Sequence, residues 1–165
     1  MRKDGLRTAR LIALLLPAAL LAGAWGSQLF GLVPCEMCHW QRWPHYAAIP
    51  VAALAFLIRH RPTQMLFVLF AAVLIALSGA IGVFHAGVEY HWWPGITACT
   101  AGFKPGQSGL DMIDQIQHGP LVRCDLPQWK LFDISLAGWN AIFSLSATLV
   151  IFGLLLFRRD TGRLG

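Results

Sequence analysis

Long apolar stretches without charged side chains dominate the chain. Four of them, at residues 11–33, 43–58, 62–88 and 134–157, contain no Asp, Glu, Lys or Arg. A bilayer core about 30 Å thick is crossed by roughly 17 to 25 helical residues, so three of these stretches are long enough to span it. The shortest also reaches across if Arg42 occupies its interfacial end. The pattern predicts four transmembrane helices, at about residues 11–33, 40–58, 62–88 and 133–157.

The composition supports this prediction. Of the 165 residues, 56% are hydrophobic and 13% are charged, and the mean hydropathy is +0.57. A soluble domain carries about a quarter charged residues, so a water-soluble globule is excluded. We therefore expect an all-α membrane protein in which residues 1–165 form a single four-transmembrane-helix bundle, with outer loops at about 34–39 and 89–132.

The first stretch allows a second interpretation. Basic residues followed by an apolar run and Ala22-Gly23-Ala24 also describe a secretory signal peptide. The apolar run continues past Ala24 through Leu29 and Leu32, which is longer than a signal requires. This continuation favours a helix that spans the membrane.

The basic residues predict the orientation of the bundle. An even number of spans places both termini on one side, and that side receives most of the 13 Lys and Arg residues, namely Arg2, Lys3, Arg7, Arg10, Arg59, Arg61, Arg158, Arg159 and Arg163. The positive-inside rule then makes both termini cytoplasmic and the long second loop periplasmic. This topology accounts for the net charge of +5, so no nucleic-acid partner is expected.

All four cysteines, Cys35, Cys38, Cys99 and Cys124, fall in the two outer segments. Thiols on the outside of an inner membrane are in an oxidising compartment, and four of them allow three pairings. A C-x-x-C pair is suited to redox work, whereas it closes too small a loop to stabilise a fold much. Two passive disulfides are the alternative. No metal site is expected, because the spacing of the four cysteines matches no compact zinc motif.

The first cysteine pair also suggests a haem protein. Cys35 and Cys38 are followed by His39, and C-x-x-C-H is the pattern of covalent c-type haem attachment. This hypothesis leaves Cys99 and Cys124 without a role. It stays the alternative to a redox-active thiol pair.

Two polar residues near the outer face are candidates for binding a small molecule. Arg42 lies four residues after Cys38, one helical turn away, where a guanidinium can stabilise a thiolate and donate to a carbonyl oxygen. His85 lies near the outer end of the third span, where a polar side chain is a functional candidate by default. In the long loop, apolar spacing over residues 108–118 fits either a short surface helix or an irregular segment.

Taken together, these features resemble the disulfide bond formation protein B (DsbB) family of bacterial inner-membrane oxidoreductases. The resemblance covers the four spans, the motif at residues 34–42, the segment at residues 87–89, the two loop cysteines and the entry of the fourth helix at residues 135–140. Position 41 is Gln where some members carry Glu, so no acid role is assigned there. Vitamin K epoxide reductase-like proteins are less similar, because they place the loop cysteines before the C-x-x-C pair.

The resemblance implies a function and a role for each site residue. A reduced thioredoxin-like DsbA partner would attack a Cys99–Cys124 disulfide at Cys99, and the freed Cys124 would attack Cys35. The Cys38 thiolate would then pass the electrons to a membrane quinone, ubiquinone or menaquinone. Arg42 would stabilise that thiolate and, with His85, contact the quinone.

Overall fold

The computed structural model describes residues 3–100, 108 and 122–156, and the helices in this part form an antiparallel bundle. These helices are α1 (Lys3–Leu29), α2 (Glu36–Leu57), α3 (Arg61–Glu89) and α4 (Leu136–Leu156). α2 packs against α3, α3 against α4, and α1 against both α2 and α4. The C-terminal ends of α1 and α3 therefore lie beside the N-terminal ends of α2 and α4. We call this the cysteine end, because Cys35 precedes α2 there.

Local signals explain where the helices begin and end. α1 ends in a turn in which Gly31 has a φ of +83°, a conformation that glycine adopts without steric cost. The Cys35 sulfur caps α2 by accepting from the backbone N–H of Cys38. Pro62 lies in the first turn of α3, where its missing N–H is not needed. α1 begins earlier than predicted, because charged residues end an apolar stretch without ending a helix.

The outer surface of the bundle is apolar over most of its length. In the described part of the chain, three helical segments are long and apolar enough to cross a membrane: Gly5–Leu29, Arg61–Glu89 and Leu136–Leu156. Their exposed side chains include Leu15, Leu66, Phe70, Val73, Leu149 and Val150. α2 has 22 residues, but Gln41, Arg42 and His45 lower its hydropathy while lying buried inside the bundle. The chain is thus a helical membrane protein with a fourth, more polar helix.

Small residues allow the helices to approach closely. The core at the end away from the cysteines consists largely of alanines with a few larger side chains, namely Leu6, Ala9, Ala13, Ala48, Ala52, Ala55, Val68, Ala71, Ala72, Ile75, Ile151 and Leu155. Between α3 and α4, a Cβ added to Gly82 would lie 3.0 Å from the carbonyl oxygen of Ala137. Close packing of this kind holds membrane helices together, since lipid supplies little hydrophobic driving force between them.

The segment after α3 folds back over the cysteine end. The backbone N–H of Trp92 donates to the carbonyl of Gly87 at 2.8 Å. A Cβ added to Gly87 would lie only 2.0 Å from the Trp93 ring. A short 3₁₀ helix, Ala98–Thr100, follows and carries Cys99. Glycine at position 87 is therefore required by the close approach of the Trp93 ring.

A small β-hairpin that the sequence did not predict precedes α4. Strands β1 (Lys130–Leu131) and β2 (Ile134–Ser135) are antiparallel, with Lys130 opposite Ser135. The connecting Phe132 and Asp133 both have positive φ, as a two-residue hairpin turn of type I′ requires. The hydroxyl of Tyr90 accepts from the backbone N–H of Ser135, which ties the hairpin to the end of α3. The alternatives for residues 108–118 lie outside the described residues, apart from Ser108.

Candidate functional site

All four cysteines meet at the cysteine end. Cys35, Cys99 and Cys124 are buried in one cluster with Met37 and Val88, and Cys38 packs against it. The cluster lies between the start of α2, the end of α3 and the loop that follows α3. The fold thus brings the two predicted pairs into contact although they are far apart in the sequence.

Cys35 and Cys38 form a close pair of thiols at the N-terminus of α2. Their sulfurs are 2.9 Å apart, and the backbone N–H of Cys38 donates to the Cys35 sulfur at 3.3 Å. Cys35 is buried, whereas Cys38 is partly exposed. The hydrogen bond with Cys38, together with burial, raises the pKa of the Cys35 thiol. Cys35 therefore stays protonated while Cys38, near the helix N-terminus, is suited to carry the negative charge.

Cys99 and Cys124 are joined by a disulfide, which settles one of the pairings that the sequence left open. The bridge is buried, and the Thr97 hydroxyl lies 2.9 Å from the Cys99 sulfur. Next to Cys124, the Arg123 guanidinium hydrogen-bonds Asp125 and holds the pKa of that carboxyl below its usual range. The disulfide is thus buried against Met37 of α2 and Val88 of α3.

Arg42 lies beside the thiol pair, as the spacing predicts. It is 9% exposed, and its Nη2 donates to the carbonyl of Ala24 in α1 at 3.2 Å. Arg42 and Cys38 line both the pocket that holds Cys35 and a second, adjoining pocket that reaches His45. The second pocket shares Leu20, Leu136 and Asn140 with a cavity of about 320 Å³ between α1 and α4, whose other lining residues include Trp139 and Phe143. Pockets that share lining residues thus follow one another from Cys38 past Arg42 to an apolar cavity, and we call this series of pockets the cleft.

His85 contacts the thiol pair from α3. Its Nε2 is 3.6 Å from the Cys35 sulfur and 3.7 Å from Oε1 of Glu89. Its Nδ1 is 2.6 Å from the Gln41 side chain. His85 lines the pocket that holds Cys35, together with Arg42 and Glu89. Its ring therefore faces a sulfur atom.

A buried polar network continues from Gln41 into the bundle. Asn140 of α4 donates to the Gln41 side chain at 2.9 Å, and its Oδ1 lies 3.0 Å from Nε2 of His45. Ser78 donates to the backbone carbonyl of Gln41 at 2.7 Å, and Ser144 donates to Asn140. Sequence reasoning named Gln41, Glu89 and Asn140 only within the motifs of the family resemblance and gave none of them a place in the site. A polar residue in an apolar span, such as Asn140, is the signal that points to the network.

The structure also bears on the other sequence-based candidates. His39, which completes the C-x-x-C-H pattern, is exposed, whereas Cys35 is buried and His85 occupies the space beside its sulfur. Within the described residues, the group Cys35, Cys38 and His85 has ligand atoms within 4.8 Å of one another. The roles expected for the cysteines, Arg42 and His85 stay predictions.

Comparison with known proteins supports a common family. A family model described as "Disulfide bond formation protein DsbB" matches residues 6–154. A disulfide bond formation protein B from Polaromonas sp. is 28% identical over 167 residues, covering 93% of this chain and 90% of the relative. One from Verminephrobacter eiseniae is 29% identical over 159 residues, covering 88% and 83%. An uncharacterised protein from Rickettsia prowazekii is 23% identical over 159 residues, covering 94% and 91%. No solved structure matches the chain.

Proposed function

Since the chain belongs to the DsbB family of membrane disulfide-formation proteins, we propose that it is a protein-dithiol:quinone oxidoreductase. It reoxidises a reduced DsbA-like protein and passes two electrons to a membrane quinone. The observation that carries the proposal is the position of Cys38. This residue lines both the buried cysteine pocket and the cleft that leads past Arg42 to the apolar cavity.

The first step takes place at the Cys99–Cys124 disulfide. A thiolate of the reduced partner attacks Cys99, the S–S bond breaks, and Cys124 leaves as a thiolate. Because Cys99 is 5% exposed, its loop must open when the partner docks. Loop opening is consistent with the position of Cys99 in a short 3₁₀ helix outside the bundle.

The second step transfers the oxidising equivalent between the pairs. Cys124 and Cys35 belong to the same buried cluster, so the freed Cys124 thiolate needs only a short movement to reach Cys35. In the oxidised enzyme Cys35 is bonded to Cys38, and attack at Cys35 forms a Cys35–Cys124 bond and releases Cys38 as the thiolate. The second thiolate of the partner then displaces Cys99 from the mixed disulfide, and the partner leaves oxidised. The Cys99 thiolate attacks Cys124, which restores the Cys99–Cys124 bridge and leaves Cys35 and Cys38 as a dithiol. The sulfurs of Cys35 and Cys38 lie 2.9 Å apart, so formation of the bond between them needs little movement.

The residues along the cleft fit a quinone. Arg42 supplies hydrogen-bond donors for a carbonyl oxygen, and Trp139 and Phe143 line an apolar cavity that suits an isoprenoid chain. A bound quinone accepts two electrons and two protons and becomes a quinol, while the dithiol of Cys35 and Cys38 becomes a disulfide. Arg42 holds negative charge at Cys38, and His85 contributes from the Cys35 side.

The proposed reaction is tested with the full chain purified in detergent, a reduced thioredoxin-like donor and a soluble quinone analogue. We expect quinone absorbance to fall only when both donor and protein are present. Cys38→Ala should abolish quinone reduction, because no thiolate then lines the cleft. Cys99→Ala should block reaction with the protein donor.

The two cysteine variants serve as controls for each other. Cys99→Ala retains Cys35 and Cys38, so a small dithiol that reaches this pair directly should still support quinone reduction. Cys38→Ala should fail with either donor. Normal turnover of Cys38→Ala would refute the assignment.

A further inference from the structure

The side chain of Gln41 connects the thiol pair to the buried network of α4. Its Nε2 is 2.6 Å from Nδ1 of His85 and 3.4 Å from the backbone carbonyl of Met37. Its Oε1 accepts from Nδ2 of Asn140 at 2.9 Å. Gln41 is 6% exposed and His85 is 2% exposed, so both side chains are buried.

Neighbouring groups fix the orientation of both amides. Nδ2 of Asn140 also lies 3.2 Å from the backbone carbonyl of Ser78, which can only accept, while Oδ1 of Asn140 accepts from the Ser144 hydroxyl. Asn140 therefore presents a donor to Gln41, and the Gln41 oxygen must face it. The Gln41 nitrogen consequently faces the Met37 carbonyl and His85 as a donor.

This orientation determines which ring nitrogen of His85 carries the proton. Because Gln41 donates to Nδ1, that nitrogen must accept, and in a neutral imidazole the proton then resides on Nε2. Besides Gln41, the groups that face the ring are the Cys35 sulfur and the Glu89 carboxylate, both next to Nε2, and the backbone carbonyl of Cys124, and each of them can accept a hydrogen bond.

We propose that Gln41, held by Asn140, is a positioning residue that fixes His85 in the Nε2–H tautomer and directs a hydrogen-bond donor at Cys35. The catalytic consequence of this assignment rests on the proposed quinone oxidoreductase function. The tautomer of His85 and its hydrogen bonds do not depend on that function.

The tautomer determines where the single S–H proton of Cys35 is donated. If Nε2 were unprotonated, it could accept that proton and compete with Cys38. With Nε2 protonated, the Cys35 S–H donates to Cys38, which lies 2.9 Å away. Negative charge then stays on Cys38, next to Arg42 in the cleft.

The same tautomer protects the thiol pair from metal ions. Two thiolates and an imidazole whose ligand atoms lie within 4.8 Å of one another would suit Zn²⁺, and C-x₂-C is a common zinc-binding spacing. Zinc needs the lone pair of Nε2, which the Nε2–H tautomer does not offer. Gln41→Glu should reverse this, because a carboxylate accepts from Nδ1–H and leaves Nε2 free, as in carboxylate–histidine–zinc sites.

The first test is the ring tautomer, measured by ¹⁵N NMR of histidine-labelled full-length chain in detergent micelles under reducing conditions, with His85 assigned from the signal lost in His85→Gln. We expect the proton on Nε2 in the wild type and on Nδ1 in Gln41→Glu. A wild-type ring protonated only on Nδ1 would overturn the proposal.

The second test is zinc affinity, measured by competition with a chromophoric chelator after Cys35 and Cys38 are selectively reduced. We expect Gln41→Glu to bind Zn²⁺ at least about tenfold more tightly than the wild type. Groups that hydrogen-bond a metal-binding histidine change metal affinity by about 10- to 100-fold, and the expected gain is the lower end of that range. Adding His85→Gln to Gln41→Glu should remove the gain. Equal affinities of wild type and Gln41→Glu would contradict the proposal.

A second variant covers the case in which Gln41→Glu does not fold. Asn140→Leu removes the donor that orients the Gln41 amide, so His85 should show both tautomers. A pure Nε2–H ring in a folded Asn140→Leu protein would refute the role of Asn140.

Neither the tautomer measurement nor the zinc measurement uses a protein donor or a quinone. Failure of wild-type turnover would therefore refute the proposed function and leave the tautomer result standing.

Discussion

Two arginines make the same contact between helices at opposite ends of the bundle. Arg42 donates to the carbonyl of Ala24 at 3.2 Å, and Arg10 makes the same kind of contact with the carbonyl of Ala55 at 3.2 Å. Arg42 lies in the cleft beside Cys38, whereas Arg10 lies at the opposite end of the bundle. The two arginines are therefore a matched pair in which only one is near the proposed chemistry.

We predict that Arg42→Ala raises the apparent KM for quinone roughly 10- to 100-fold, because a hydrogen bond from a charged donor contributes about 1.5–3 kcal/mol. Arg10→Ala should leave that KM within about twofold of the wild-type value, since a change away from the site alters stability rather than binding. Steady-state quinone reduction by purified variants measures both. Equal KM values for the two variants would exclude Arg42 as a quinone contact.

Each helix is specialised, and α2 carries the polar side chains. Its buried face presents Gln41, Arg42 and His45 to the network, whereas α3 and α4 present small residues to each other. At Gly82, a Cβ would also lie 3.1 Å from the backbone nitrogen of Ala141, so neither neighbouring atom can move without moving α4. This contact sets the distance between the helices that carry His85 and Asn140.

We predict that Gly82→Ala destabilises the protein by about 1–3 kcal/mol, the usual cost of overpacking a tight interface. Gly153→Ala is the control, because a Cβ at Gly153 of α4 meets no atom within 4 Å. That change should be neutral or stabilise by about 0.5–1 kcal/mol through helix propensity. Denaturation in detergent, followed by circular dichroism, gives both values, and equal effects at the two positions would contradict the packing argument.

The molecule as a whole has two chemically different ends. The cysteine end contains the thiol pair, the disulfide, the hairpin and the polar pocket, whereas the other end has a core composed largely of alanine. The segment after α1 and the segment after α3 both lie at the cysteine end and therefore on one side of the bundle. The distribution of Lys and Arg predicts that this side faces the periplasm.

We expect single cysteines placed at Phe132 and at Arg59 to be labelled from opposite sides of the membrane. Phe132 is 84% exposed in the hairpin turn, and Arg59 is exposed between α2 and α3. In a chain with Cys35→Ser, Cys38→Ser, Cys99→Ser and Cys124→Ser, an impermeant maleimide added to spheroplasts should modify Phe132→Cys and should modify Arg59→Cys only after lysis. The reverse pattern would overturn the predicted orientation.

The sequence by itself determined the membrane class, the approximate helices and the family. These follow from local quantities: the lengths of the uncharged stretches, the C-x-x-C spacing and the Arg one turn beyond Cys38. It missed the hairpin, because its turn places Phe132 and Asp133 at positive φ without the Asn-Gly signal that predicts such a turn.

Only the tertiary structure decided which residues meet. The pairing of Cys99 with Cys124 and the contact of His85 with Cys35 join positions that no sequence period relates. The orientation of Gln41 depends on Asn140, which is 99 residues away and on another helix. Hydrogen-bond direction is a property of a whole network, since each donor needs an acceptor that is itself fixed, and this is why the sequence could name Gln41 without assigning it a role.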